Sequence, residues 1–232
     1  MPAEGCHMVP HPSKNWRFFM ENFDRAVLFV NGELADSTRL AFLDTDYFVA
    51  VDNGVRHTYT FNLIPHLLIG DLDSIDPDLV EILLSEKVKI QKFPTNKDET
   101  DLELALNYVI GKGFSTILLV GALGGRIDQS LANLDLLTRE DLADFDIRMD
   151  DGRTAVFVIK DSVSFKTTIN DTISLIPVCR PATGITTQGL AYPLTNETLY
   201  PKKTRGISNT AVANQVSITL EEGHLLCIHL HR

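Results

Sequence analysis

Sulfur and positive charge are both scarce in this chain, and each shortage removes a class of protein. The three cysteines, Cys6, Cys179 and Cys227, are far apart and odd in number. That fits neither a disulfide framework nor a paired-cysteine zinc motif, and it reads as incidental thiols in a reducing cytosol. Lys and Arg total 21 against 31 Asp and Glu, a formal net charge of −10. Non-specific binding to nucleic acid or an anionic membrane is therefore not expected. An anionic substrate would need a metal ion or a local cationic pocket. Long apolar runs are missing as well. AVLFV (26–30) and ILLVGAL (117–123) fall far short of the roughly 20 residues of a membrane helix. The N-terminal stretch MPAEGCHMVPHPSKNWRFF has no apolar core of signal-peptide length and is broken by Pro2, Pro10 and Pro12, so a soluble, cytoplasmic protein is expected. The single tryptophan, Trp16, lies in this stretch and reads as a packing residue. The seven histidines are scattered without the H-x-E spacing of a metal site, and neither histidine nor cysteine catalysis is expected.

Hydrophobic residues make up 44% of the 232 positions, enough to build one large core or two small ones. From Asp24 to about Phe145 short β-branched runs alternate with helical patterns. AVLFVNG (26–32), YFVAVDNG (47–54), HLLIGDLDS (66–74), KVKIQKF (87–93) and STILLVGALGG (115–125) suit parallel strands covered on both faces. Between them STRLAFL (37–43), DPDLVEILLSEK (76–87), TDLELALNYVIGK (100–112) and IDQSLANLDLLTRE (127–140) predict helices. After Asp150 the rhythm changes to closely spaced strands: TAVFVIK (154–160), TISLIPV (172–178), GITTQGLAYPL (184–194), QVSITL (215–220) and HLLCIHL (224–230). The expected fold is an open, mostly parallel α/β sheet followed by an antiparallel β-sandwich. With a boundary close to DDGR (150–153), the chain divides into an N-terminal arm (1–23), an α/β unit (24–148) and a sandwich (149–232).

In an open α/β sheet ligands sit outside the carboxyl ends of the strands, so the residues just after each run are informative. Asp52 follows YFVAV, Asp71 and Asp73 follow HLLIG, and Asp98 and Asp101 follow KIQKFPT. Gly124, Gly125, Arg126 and Asp128 follow ILLVGAL. A lone loop aspartate would read as an Asx-turn. Asp71 and Asp73, at i and i+2 of an extended segment, are expected to point the same way and to share one divalent cation, which removes their mutual repulsion. Asp76, followed by Pro77, reads as a helix N-cap only. In TNKDETDLELAL (95–106) and beyond, Leu102, Ala105, Leu106, Val109 and Ile110 define a buried stripe. Asp98 and Asp101, three apart, are expected to share a face at the helix start, with Glu99 and Glu103 solvated. The glycine loop is neither a P-loop nor a dinucleotide fingerprint. Its backbone can still approach a phosphate at a helix N-terminus, with Arg126 either clamping the phosphate or pairing with Asp128.

VDNG (51–54), GDLDS (70–74), NKDETD (96–101), GALGGRIDQSLANLDLL (121–137), GLAYPL (189–194) and GISN (206–209) stand in the order found in thiamine pyrophosphokinases. The chain resembles that family over nearly all of residues 24–230. It departs at Asn53 and Arg56, where small residues are usual, and at Gln129, where many bacterial members have histidine. The resemblance implies transfer of the pyrophosphoryl group of ATP to the hydroxyl of thiamine, with Mg²⁺, in a homodimer whose active sites lie between the α/β unit of one subunit and the sandwich of the other. It assigns Asp71, Asp73, Asp98 and Asp101 to Mg²⁺ and the phosphates, with Asp73 or Asp98 as candidate base. Asp52, Gly124, Gly125, Arg126, Asp128, Gln129 and Asn133 go to ATP. Ser208 and Asn209 match the thiamine-pocket segment, and Tyr192 is an aromatic candidate for its lining. The alternatives are a pterin pyrophosphokinase and a non-catalytic nucleotide or thiamine sensor.

Overall fold

The first strand, β1 (Arg25–Phe29), buries Ala26 through Phe29 completely, and every residue of β2 (Asp46–Val51) is buried. Strands this apolar need cover on both faces. They receive it, as the computed structural model of the chain shows for residues 23–232 apart from 74, 95 and 143. Trp16 and all but the last residue of the N-terminal arm lie outside the described residues. On one face helix α3 (Asp101–Gly111) packs Leu102, Ala105, Leu106 and Val109 against β1 and β2 and against β3 (Leu67–Gly70). The remaining parallel strands are β4 (Lys89–Lys92), β5 (Thr116–Val120) and β6 (Asp146–Asp150). Helix α2 (Pro77–Ser85) covers Ala50 and Leu68 through Leu83, and Asp76 caps it by accepting from Asp78 N at 3.0 Å. At the entrance of the sheet Arg25 Nε and Nη2 grip the buried Asp46 carboxylate at 2.8 and 2.6 Å.

Strand order places the site. One sheet of ten strands runs through both halves of the chain, and its six parallel strands stand in the order β6-β5-β1-β2-β3-β4. The chain moves outward from β1 to β4, then crosses back to lay β5 on the other side of β1. That reversal opens a crevice at the carboxyl ends of β1 and β5, the position where such sheets bind ligands.

The same sheet then continues without a break. β6 pairs antiparallel with β7 (Thr154–Ile159), followed by β14 (Leu225–Leu230), β9 (Thr172–Pro177) and β12 (Asn209–Thr210). A second sheet, β11 (Glu197–Leu199), β10 (Ala182–Gln188), β13 (Gln215–Thr219) and β8 (Ser162–Lys166), lies over this extension. Phe157, Ile173, Leu175 and Leu225 from one sheet meet Ile185, Val216 and Ile218 from the other. Cys227 lies in this core, and burial pushes its thiol up to about 12.

Three local expectations are corrected. STRLAFL is not a helix: only Ser37–Arg39 makes a 3-10 turn, with Thr38 N donating to Asp36 at 3.1 Å. The chain then extends so that Phe42 can join Phe29, Phe48 and Phe61. A helix not foreseen, α1 (Val55–Thr60), follows VDNG directly. Gly54 permits it, since a Cβ there would lie 2.0 Å from Phe29 O. The run GITTQGLAYPL breaks after Gln188 because Gly189, with φ +80°, turns the chain where a Cβ would strike Gln215 O at 2.3 Å.

Candidate active site

Two loops build the crevice floor. The segment after β1 is laddered to the glycine loop after β5 by Gly32 N donating to Gly121 O at 2.7 Å and Glu33 N to Leu123 O at 2.8 Å. Only glycine fits at position 32, since a Cβ would lie 2.4 Å from both carbonyl oxygens, Gly121 O and Leu123 O. From α1, Arg56 Nη2 donates to Gly32 O at 2.8 Å. His57 Nε2 lies 3.0 Å from the same oxygen. Burial holds the His57 pKa down, so the imidazole is neutral and Nε2–H is the donor.

The glycine loop is pinned from below by Asn133 of α4 (Ile127–Leu136), which is buried and donates Nδ2–H to Ala122 O at 2.8 Å. Gly124 and Gly125 take φ of +79° and +67°, which suits residues without a Cβ and leaves the backbone open to a ligand. Arg126 precedes α4 and pairs with Asp128 through two contacts, Nε–Oδ1 being 3.1 Å. The pairing raises the Arg126 pKa and lowers that of Asp128, both exposed.

The acids come from the other side. Asp52 follows β2 with φ +48°, and a Cβ on Gly70 would lie 3.1 Å from its Cβ, so the ends of β2 and β3 are close. The expectation that Asp71 and Asp73 lie in an extended segment is corrected. Leu72 takes φ +66° and Asp73 N donates to Asp71 Oδ1 at 3.0 Å, which makes an Asx-turn. Asp98 precedes α3 instead of sharing a helix face with Asp101, because Thr100 caps that helix by accepting from Glu103 N at 3.2 Å. Asp101, the first helical residue, meets Lys97 Nζ at 2.6 Å. Glu103 is not a solvated acid: it accepts from Arg139 Nη1 at 3.1 Å.

These parts enclose a cleft of about 590 Å³. It is lined by Asn31–Glu33 after β1, Asp52 after β2, Arg56 of α1, Thr100–Leu102 at the start of α3, Gly124–Arg126, and Gln129 and Asn133 of α4. Of the residues singled out by sequence, Asp52, Asp101, Gly124, Gly125, Arg126, Gln129 and Asn133 are therefore brought together. Asp71, Asp73 and Asp98 on adjoining loops, and Asp128 in the first turn of α4, stand outside this lining. Among the described residues, the four proposed metal-binding acids form no group of three with donor atoms within 4.8 Å of one another. Asn31, Glu33, Arg56 and Thr100 were missed. Asn31 lies in the AVLFVNG run and Glu33 directly follows it, so both obey the strand-end rule that located Asp52.

The three remaining candidates gather on the sandwich. Asn209 Nδ2 donates to Tyr192 O at 2.7 Å and Tyr192 N returns a bond to Asn209 Oδ1 at 3.0 Å. Ser208, with φ +58°, donates its N–H to Ser174 Oγ at 3.0 Å. Asn209 is buried, whereas Tyr192 is 68% exposed. None of the three lines the cleft of its own chain.

Residues 39–149 match the family model for the thiamin pyrophosphokinase catalytic domain, and residues 160–225 match that for the thiamin pyrophosphokinase vitamin B1 binding domain. The thiamine pyrophosphokinase of Bacillus subtilis is 28% identical over 183 residues, 78% of this chain and 86% of that protein. Thiamin pyrophosphokinase 1 of Caenorhabditis elegans is 26% identical over 220 residues, 88% of each. The crystal structure of the Bacillus subtilis thiamine pyrophosphokinase superposes with a TM-score of 0.81 at 24% identity, covering 89% of this chain and 99% of that one, a likeness of fold.

Proposed function

The chain belongs to the thiamine pyrophosphokinase family, and we propose that it transfers the pyrophosphoryl group of ATP to thiamine, giving thiamine diphosphate and AMP, from the cleft at the ends of β1, β2 and β5. The observation that carries this reading is the pairing, within one cleft at the strand-order reversal, of an open glycine loop with carboxylates on the facing side. The first suits phosphate and the second suits a metal bound to it.

The thiamine hydroxyl oxygen attacks the β-phosphorus of ATP in line, the bond to the oxygen bridging to the α-phosphate breaks, and AMP leaves with that electron pair. Little of the barrier calls for covalent help from the protein, so positioning and electrostatics carry the catalysis. The Gly124–Gly125 backbone and the start of α4 hold the phosphates, and Arg126 turns from Asp128 to a phosphate oxygen. Asp52, Gln129 and Asn133 shape the nucleotide side. Asp73 or Asp98 takes the proton of the attacking hydroxyl. The donor set fits Mg²⁺: its all-carboxylate oxygens are spread along an edge and do not close a cage, which suits an ion shared between one or two carboxylates and the phosphates. Asp71, Asp73, Asp98 and Asp101 are the carboxylates from which its protein ligands would come, and it would neutralise phosphate charge.

The thiamine side draws on Ser208, Asn209 and Tyr192. Since they lie away from the cleft of their own chain, we assign the working unit to a homodimer in which the sandwich of one copy closes the cleft of the other. A cytoplasmic setting belongs to the same proposal. The vitamin B1 binding match over 160–225 supports thiamine over a pterin acceptor. AMP release from ATP and Mg²⁺, measured with thiamine, with a hydroxymethyl pterin and with no acceptor, tests the reading. Release is expected with thiamine alone, and a pterin response without a thiamine response would overturn it.

A further inference from the structure

The sandwich holds a second constellation, where β14 ends and β9 begins, that the transfer reaction does not use. Strand β14 ends at Leu230, and in His229-Leu230-His231 the alternation, carried one residue past the strand, sets two imidazoles on one side. Their ring centroids are 4.0 Å apart. Between them stands Asp171, just before β9. His229 Nε2 lies 2.7 Å from Asp171 Oδ2, and His231 Nδ1 lies 3.8 Å from the same oxygen. We propose that Asp171, His229 and His231 form a binding site for a first-row transition metal, best suited to Zn²⁺.

The chemistry and the spacing agree. Two imidazoles and a carboxylate are the N/O set of three-ligand zinc sites, which leave a fourth position for water. Around a tetrahedral ion with bonds of about 2.0 Å, neighbouring donors stand about 3.3 Å apart. The two observed separations, 2.7 and 3.8 Å, bracket that value. One donor atom from each residue lies within 4.8 Å of the others, the one such group among the described residues. Supporting bonds orient the carboxylate: Thr168 N donates to Oδ2 at 2.8 Å and Arg232 N to Oδ1 at 3.0 Å. His231 is fixed by its own N–H to Arg153 O at 2.8 Å. Such outer bonds set ligand direction in metal sites. Asp171 and His229 are buried while the His231 side chain is 27% exposed, so entry is from the His231 side. An ion here would clamp the end of β14 to the turn that starts β9. Imidazole ligands favour Zn²⁺ over Mg²⁺, which separates this site from the acidic cleft.

The test uses the full chain, stripped with chelator and dialysed against Zn²⁺, with metal content and thermal unfolding as readouts. H231A should lose one equivalent of zinc relative to wild type and lose the zinc-dependent rise in melting temperature, while H66N, at a histidine outside the cluster, keeps both. H231Q, closer in bulk and polarity, is the second variant and should behave like H231A. Zinc taken up elsewhere on the chain is common to every variant and cancels in the difference. Equal zinc equivalents and equal thermal shifts in wild type, H231A and H231Q would overturn the proposal and leave the cluster a hydrogen-bonded structural pair.

Discussion

Asp101 faces the cleft and an ion pair at once, and the energetics of the two tasks differ. Its contact with Lys97 joins side chains 25% and 12% exposed, a partly solvated pair worth about 1 kcal/mol or less. D101N should therefore melt within a few degrees of wild type. Its kcat should fall by at least about 100-fold, the scale of removing one electrostatic group from a transferring phosphoryl centre. Steady-state AMP release together with thermal melts checks this, and an active, well-folded D101N would remove Asp101 from the site. A second residue-scale effect concerns pH. His66 lies half-buried, and its Nδ1 accepts Phe48 N–H at 3.0 Å, which requires the neutral ring. Burial holds its pKa below the ordinary 6.5. A depressed histidine contributes stability that is present above about pH 6.5 and lost as pH falls, because the unfolded chain takes up the proton first. The fall in unfolding free energy between about pH 6.5 and 5.5 should be shallower in H66N than in wild type, as read from denaturant titrations. Equal slopes would contradict the assignment.

At the scale of elements, the crevice depends on the ladder between the β1 and β5 loops. In G32A the new methyl would meet two backbone oxygens at 2.4 Å, and neither can move without breaking the Gly32–Gly121 and Glu33–Leu123 bonds. A destabilisation of about 1–3 kcal/mol is expected from such overpacking. The KM for ATP should rise as the glycine loop shifts. Wild-type stability and KM in G32A would show that the ladder does not hold the site. The elements themselves differed in legibility. β1, β2, β3 and β5 are continuous apolar runs, and their buried burial patterns match that reading. β8 was not legible because SVSFK alternates and commits only Val163 and Phe165 to the core. The 37–43 segment carries helix-forming residues, but burying Phe42 among other phenylalanines outweighs that propensity. For the site, the strand-end rule located Asp52, Asp101 and the glycine loop. It could not reveal the left-handed Leu72 that turns Asp71 and Asp73 into an Asx-turn. Nor could it reveal Arg56, whose place depends on the unforeseen α1.

At the scale of the molecule, the antiparallel β6–β7 step makes one sheet of both halves. The core beneath β1 and α3 also takes in Val156 of β7 and Leu226 of β14, so residues on both sides of β6 share one apolar cluster. Thermal unfolding should accordingly be a single cooperative transition. Two resolved transitions would mean that the halves are energetically separate. A net charge of −10 suits this catalytic account, since an acidic surface keeps the protein off other polyanions and the triphosphate must be met by the glycine loop, Arg126 and a metal. Pyrophosphoryl transfer to thiamine in the β1–β5 cleft can be checked in one assay that follows AMP and thiamine diphosphate together in wild type and D101N with ATP, Mg²⁺ and thiamine. Equimolar products that require thiamine and that all but vanish in D101N are expected. Release of ADP in place of AMP, or AMP formation indifferent to thiamine, would contradict it.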